Sequence, residues 1–173
     1  KLVDSALPGE ALILLDRSPF YGESGGQVGD RGFLGVAIPD NHVLQMQPVL
    51  DTQKQENLIL HRAALTVPLK VGDSLNAHVY PEHRLSVSLN HSATHLLHFA
   101  LRSILGAHVE QRGSLVASDR LRFDFTHFEH ITPEQITRIE DVVNDSIRKN
   151  APIKIETTTL TDAKNRGALA LFG

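Results

Sequence analysis

The sequence predicts an α+β protein: a small N-terminal β-barrel over residues 1–85, then a two-layer α+β core with an antiparallel sheet over 86–173. Three observations carry this expectation. Short apolar runs separated by turn residues fill the first half, and a stretch at helical spacing closes at Gly106. Alternating and capped segments come after it.

In the first half, Ala11–Leu15, Phe33–Ile38, His42–Gln47, Leu58–Ala63 and Leu75–Tyr80 are candidate strands. Turn signals at Pro39-Asp40-Asn41 and Val71-Gly72-Asp73 separate them. Several short strands at this spacing suggest a small barrel. Residues 18–32 interrupt the pattern with five glycines in fifteen positions. That composition excludes a stable helix and lets the backbone approach another surface closely. The stretch lacks the Lys-Ser/Thr ending of a phosphate-binding loop and the glycine spacing of a dinucleotide fingerprint. It reads either as a connecting loop or as a loop that faces a substrate.

Pro81–Leu89 reads as a short helix leading into Asn90, and Asn90 reads as the N-cap of a second helix closed by Gly106. Ala93, Leu97, Ala100, Leu101 and Ile104 form its apolar stripe. His91, Thr94, His95, His98 and Arg102 fall on another stripe at the same spacing. Two imidazoles at i and i+4 stand one above the other, so one metal ion can reach both. The spacing alone is weak: with 10 His in 173 residues, chance supplies roughly 0.6 such pairs. A bland amphipathic helix accounts for it equally well. The hydroxyl of Thr94 and the third imidazole of His98 on the same face point towards a site.

Beyond Gly106, Val109–Val116 is extended, Ser118-Asp119-Arg120 is a turn, and Leu121–Phe125 alternates strictly, which together predict a hairpin. Thr132-Pro133-Glu134-Gln135 combines a capping box with Pro at the first helical position. Ile136, Ile139, Val143 and Ile147 carry the apolar face of that helix, and Asn150 and Pro152 end it. Ile153–Leu160 is β-branched and reads as a strand. Thr161–Arg166 reads as a short helix closed by Gly167.

Composition narrows the function. Hydrophobic content of 41%, charged content of 21% and a formal charge of −3 are ordinary for a globular protein. No global basic field advertises nucleic acid, so any RNA contact rests on local patches and backbone groups. Without cysteine there is neither a disulfide framework nor a thiolate ligand. No apolar run approaches a membrane span. The start at Lys1 and the finish after Ala-Leu-Ala-Leu-Phe predict an excised piece of a longer protein.

Several motifs in order resemble one family. They are Phe20-Tyr21 with Gly25-Gly26-Gln27, Asp30 and Gly32; Asp51-Thr52-Gln53-Lys54; Asn90-His-Ser-Ala-Thr-His95-Leu-Leu-His98; and Gln111-x-Gly113-Ser114-Leu115. Leu121–Phe125, Arg148-x-Asn150-x-Pro152-Ile153 and the Gly167–Gly173 stretch continue the series. Together they look like the editing region of a bacterial-type alanyl-tRNA synthetase. The glycine-rich barrel sets it apart from the similar His-x-x-x-His core of threonyl-tRNA synthetases. The resemblance implies a hydrolase that cleaves serine or glycine wrongly esterified to the alanine tRNA. It implies His91 and His95 as zinc ligands, completed in the family by a downstream Cys-x-x-x-His. Thr94, whose position recognises the serine side chain, and Gln111, which shapes the pocket, are the candidate catalytic residues. Gly25, Gly26, Gln27 and Asp30 match the loop that approaches the tRNA end. The chain is expected to be truncated before the Cys and His, leaving half the zinc set. It is expected to bind no nucleotide, since the ATP-dependent domain lies elsewhere in the family. The implied partners are the tRNA(Ala) acceptor end carrying serine or glycine and the rest of the synthetase chain, in the cytoplasm and away from membranes. A free-standing trans-editing deacylase and a non-catalytic module that docks the acceptor end are the rival readings.

Overall fold

The structure is a computed structural model that describes residues 5–6, 8–38 and 41–168. The turn expected at Pro39-Asp40 and the closing Leu169–Gly173 of the family motif lie outside the described residues. The chain divides into two compact units, residues 1–94 with 113–123 and residues 95–112 with 124–173. The division passes through the long helix α1 (Pro81–Leu105) and through the hairpin of β8 (Gln111–Val116) and β9 (Leu121–Phe125). The boundary expected at 85/86 falls inside α1.

The first unit holds β1 (Ser5–Ala6), β2 (Gly9–Leu14), β3 (Gly32–Ile38), β4 (Asn41–Gln55), β5 (Leu58–Leu65), β6 (Leu69–Lys70) and β7 (Leu75–Val79). Five of these form an antiparallel sheet in the order β2-β5-β4-β3-β7, and β1 pairs with β6. The sheet expected for this half is therefore present. No ladder joins its two ends, β2 and β7, among the described residues. Alternation sets the core: Ala11 and Ile13 turn inwards while Leu12 and Leu14 face out. Leu34, Val49 and Phe20 form one buried cluster, and Ala63, Leu65 and Leu69 another.

The longest strand carries an irregularity. β4 pairs with β5 at Val49↔Ala63 and next at Asp51↔Arg62, which leaves Leu50 as an extra residue. Such a bulge reverses the facing of every later side chain. Gln47 and Val49 point into the core before it, and Thr52, of opposite parity, points in after it.

Two sequence expectations fail here. Asn90 is not an N-cap, because α1 runs unbroken through it from Pro81. A cap residue needs non-helical backbone angles, and no breaker stands between Pro81 and Gly106 to provide them. The strand expected at Ile153–Leu160 is also absent: residues 151–159 are irregular, and Ile153 and Ile155 lie open to solvent. β propensity expresses itself only where a neighbouring edge is available to pair. The second unit otherwise agrees with the sequence. The Thr132 capping box and Pro133 open α2 (Pro133–Arg148), and Asn150, at φ 45°, stands after it. Thr159 caps α3 (Leu160–Asn165), and Gly167, at φ 81°, stands just beyond it. Among the described residues no helix is long and apolar enough to cross a membrane.

His61 is fully buried on β5, where its Nδ1–H donates to the Ile13 carbonyl (3.0 Å) and its Nε2 accepts from the Ser18 hydroxyl (2.7 Å). Burial lowers its pKa, and the Ile13 hydrogen bond opposes that only in part. The unfolded chain therefore takes up this proton first as pH falls below 6.5. The stability contribution is complete above that value and is lost on the way down to the folded pKa. Urea titrations of His61→Gln against the parent chain should show a flatter decline over that window. An identical pH slope would assign the decline to other groups. Gly29→Ala should cost about 2 kcal/mol in the same assay, because overpacking is destabilising and its Cβ would overlap the Thr52 carbonyl.

Candidate functional site

The glycine-rich loop leaves β2 at a fixed anchor. Ser18 Oγ accepts from the Phe20 N–H (3.1 Å) while its hydroxyl serves His61, and the buried Phe20 ring meets His61 edge-on at 5.1 Å. The neck of the loop closes between residues nine positions apart. The Tyr21 N–H donates to Asp30 Oδ2 (2.6 Å), and the Asp30 N–H donates back to the Tyr21 carbonyl (2.9 Å). Inside the neck, the Glu23 N–H donates to the Thr52 carbonyl (2.8 Å), and the Thr52 hydroxyl donates to the Asp30 carbonyl (2.8 Å). Both bonds depend on the bulge in β4 that turns Thr52 inwards.

Asp30 is 4% exposed. A buried carboxylate is costly without a partner. Its partner is Arg84 on the first turn of α1, whose Nε and Nη2 both donate to it. The same guanidinium donates to the Pro19 carbonyl (2.6 Å), so one side chain grips both ends of the loop. The hydrogen bond to Asp30 raises the Arg84 pKa. Beside this grip lies a cleft of about 490 Å³ lined by residues that include Tyr21, Gln27, Val87 and Ser88. His83, nearby on α1, has its pKa lowered mainly by burial and next by Arg31, with Asp30 opposing.

The loop tip is Ser24-Gly25-Gly26-Gln27, closed by paired backbone bonds between Ser24 and Gln27 (3.2 and 3.0 Å). Gly25 and Gly26 have φ of 58° and 84°. Positive φ at both central positions is what a tight two-residue turn of this hand requires. Gly26 is under a second constraint, since a Cβ there would overlap the Ser114 hydroxyl and carbonyl on β8. The tip is seated on β8 by main-chain bonds: the Val116 N–H donates to the Gly26 carbonyl (2.8 Å), and the Val28 N–H to the Val116 carbonyl (3.0 Å).

Seated in this way, Gln27 reaches α1. Its Oε1 lies 2.6 Å from Nδ1 of His91. Since an amide oxygen only accepts, the Nδ1 of His91 carries the proton. Asn90, beside it, donates from Nδ2 to the Ala117 carbonyl (2.8 Å) and ties the helix to the hairpin turn. Thr94 is buried at 8% exposure and donates its hydroxyl proton to the Asn90 carbonyl one turn back (2.8 Å). Of the candidates in the first unit, Gln27 at the Gly25-Gly26 tip meets His91, whereas Asp30 stands at the neck of the loop against Arg84 and Thr94 bonds back along α1.

The second unit carries the remaining candidates. His95 is solvent-exposed one turn beyond His91 along α1, and Gln111 begins β8, half-buried. His98 is buried, and burial is the largest cause of its lowered pKa. A hydrogen bond with the Val109 backbone opposes the shift, while Arg102 and His95 add to it. Arg102 also donates to the Val109 carbonyl (2.8 Å) and holds the turn after α1. Among the described residues, no three His, Asp or Glu side chains gather in a group that could hold a metal ion. His91 and His95 stand four residues apart along α1.

Sequence reasoning reached the loop and the His-x-x-x-His pair but missed the Arg84 grip and the Ser18–His61 anchor. Arg84 and Asp30 stand 54 positions apart, and Ser18 and His61 43. No local pattern announces pairs at such separations.

The family described as "tRNA synthetases class II (A)" matches residues 2–83. Over 95% of its length the chain is 52% identical to the alanine–tRNA ligases of Pseudomonas fluorescens and Pseudomonas syringae pv. tomato. It is 50% identical to that of Pseudomonas entomophila over the same share. The chain spans 18% of the length of these relatives. With half its residues identical to these proteins almost from end to end, the chain belongs to the alanine–tRNA ligase family.

Proposed function

We propose that this region edits: it hydrolyses the ester that joins serine or glycine to the acceptor end of the alanine tRNA. The observation that carries the reading is the seating of the glycine-rich tip on β8, with Gln27 against His91 and Thr94 one turn further along α1. A loop with tight main-chain contacts and helix side chains is suited to a substrate end that threads between backbone and helix.

The need for such a site comes from binding energetics. A pocket for alanine rejects serine, which adds one hydroxyl, by only about a hundredfold, so a second site must remove the error. Thr94 supplies the complementary chemistry. Its own proton is committed to the Asn90 carbonyl, so its oxygen presents lone pairs to an incoming hydroxyl. A serine side chain can donate there and an alanine methyl cannot. In the reaction a water attacks the ester carbonyl, and the ribose oxygen leaves with a proton. Gln111 is assigned to shaping the pocket, and Gly25 and Gly26 to a main-chain surface for the tRNA end. Asp30, buried and held by Arg84, is better placed to fix the loop than to touch substrate. A zinc ion bound by His91 and His95, with further ligands from the longer ligase, would supply Lewis-acid chemistry there.

Deacylation of Ser-tRNA(Ala) by a full-length ligase carrying this region tests the reading. Thr94→Val should slow serine release by roughly 10- to 100-fold while sparing glycine release, since leaving a buried hydrogen-bonding group unpaired costs about 1–3 kcal/mol. Ser-tRNA(Ala) with the same half-life in the presence and absence of the protein would end the proposal. The 173-residue chain alone should give up zinc on dialysis against a mild chelator, because two imidazoles supply half of a tetrahedral shell. Stoichiometric retention would show that this chain completes the shell itself. In the full-length ligase, His95→Ala should abolish both zinc binding and deacylation, and deacylation that survives it would make the pair structural.

A further inference from the structure

We propose that the cleft beside the Arg84 grip takes a nucleobase, that of the terminal nucleoside on the acceptor end, stacked against the Tyr21 ring and the Arg84 guanidinium. Which nucleoside it is rests on the editing reading. The recognition of a flat heterocycle stands on the cleft itself.

The cleft, about 490 Å³ in volume, has buried apolar lining in Phe20 and Val87 and two planar groups beside them. Tyr21 is fixed at both ends: its N–H bonds Asp30 (2.6 Å), and its hydroxyl reaches the Ser24 carbonyl (3.2 Å) and hydroxyl (2.7 Å). Its ring nevertheless stays exposed. Arg84 spends Nε and Nη2 on Asp30 and Pro19, so its plane is set while the side chain remains 46% exposed. Aromatic rings and guanidinium planes are the surfaces on which unpaired RNA bases stack, and here both are immobilised beforehand. Charge argues against a bare phosphate. Arg84 and Asp30 are the only charged groups among the described lining residues, and the carboxylate offsets the guanidinium. The polar lining argues for a heterocycle over a phenyl ring. The Ser88 hydroxyl donates to the Leu85 carbonyl (2.8 Å) and so offers its lone pairs. The Gln27 amide contacts His91 through its oxygen, which leaves its N–H groups to donate. Position ties the cleft to the ester. Arg84, Val87, Ser88 and His91 follow one face of α1 at three- and four-residue steps, so His91 stands about 10 Å beyond Arg84 along it. A base held beside Arg84 would direct its ribose towards Gln27 and His91.

The test adds adenosine 5′-monophosphate (AMP) to the parent chain and follows the Tyr21 ring and the Val87 methyls in ¹H–¹³C spectra. Both should shift saturably with AMP and stay in place with ribose 5-phosphate, which carries the phosphate without the base. Tyr21→Leu should weaken AMP binding by about 5- to 100-fold, the usual loss when a base is deprived of an aromatic partner. Tyr21→Phe keeps the ring and gives up the Ser24 contacts. It should bind AMP nearly as the parent does, which a role confined to fastening the loop would not allow. Ser88→Phe fills the cleft from a solvent-exposed position and should abolish AMP binding without touching the Arg84 grip. That variant decides the matter even if Tyr21→Leu loosens the neck of the loop. The proposal is overturned if AMP leaves both sets of signals unmoved, or if ribose 5-phosphate or N-acetylphenylalanine amide moves them as AMP does. It is equally overturned if Tyr21→Leu or Ser88→Phe binds AMP like the parent. A ligase with no deacylase activity would end the editing reading and leave the AMP result intact.

Discussion

The first unit depends on keeping one buried carboxylate satisfied. Asp30 has almost no access to water, and an isolated charge in that position would cost several kcal/mol. Arg84 and the Tyr21 N–H meet the requirement, and each contact has a consequence beyond Asp30. The Tyr21 bond closes the loop at its neck. The Arg84 bonds attach that neck to the first turn of α1, four residues after Tyr80. Because the histidines share that helix, the charge also sets where the loop tip arrives relative to His91.

A loop with this many glycines should be loose, since each glycine adds backbone entropy that folding must overcome. Cross-links along its length oppose that freedom. Ser18 and His61 hold its beginning, Thr52 its neck, Arg84 both ends, and Val116 its tip. The glycines at Gly26 and Gly29 then serve closeness rather than flexibility, each abutting a neighbouring carbonyl where a side chain would collide. The bulge in β4 belongs to the same scheme, because with Leu50 paired in regular register the parity of Thr52 would place its hydroxyl on the opposite face.

Much of this fold was legible in the sequence, and the losses have physical causes. Short apolar runs bounded by turn residues located β2, β3, β5 and β7 to within a residue or two, because strands that bury one face gather their apolar residues between the turns. Thr132 with Gln135 announced α2, because capping is local chemistry. Asn90 misled because its side chain suits a cap wherever it stands, and only the uninterrupted run from Pro81 showed that the helix was already under way. Ile153–Leu160 misled in the opposite sense: the residues favour a strand, and pairing depends on a partner that they cannot encode. At the candidate site, His91, His95 and Thr94 were visible as a helical stripe and the glycines as a composition. The bond between Gln27 and His91 was not, because a 64-residue separation is bridged by the fold alone.

The seating of the tip in main-chain bonds has a consequence for how this region tolerates genetic change. Hydrogen bonds from Gly26, Val28 and Val116 are indifferent to most side chains, so exchanges at Val28 and Val116 that respect volume leave the seat intact. What the seat counts is the number of residues between its two bonds to Val116. Deleting or inserting a single residue between Ser24 and Val28 would shift the frame by one position and carry the Gln27 amide away from α1. Tolerant of exchange at Val28 and Val116, the seat is intolerant of length, and a gap in this short segment would displace the Gln27 amide even where no side chain had changed.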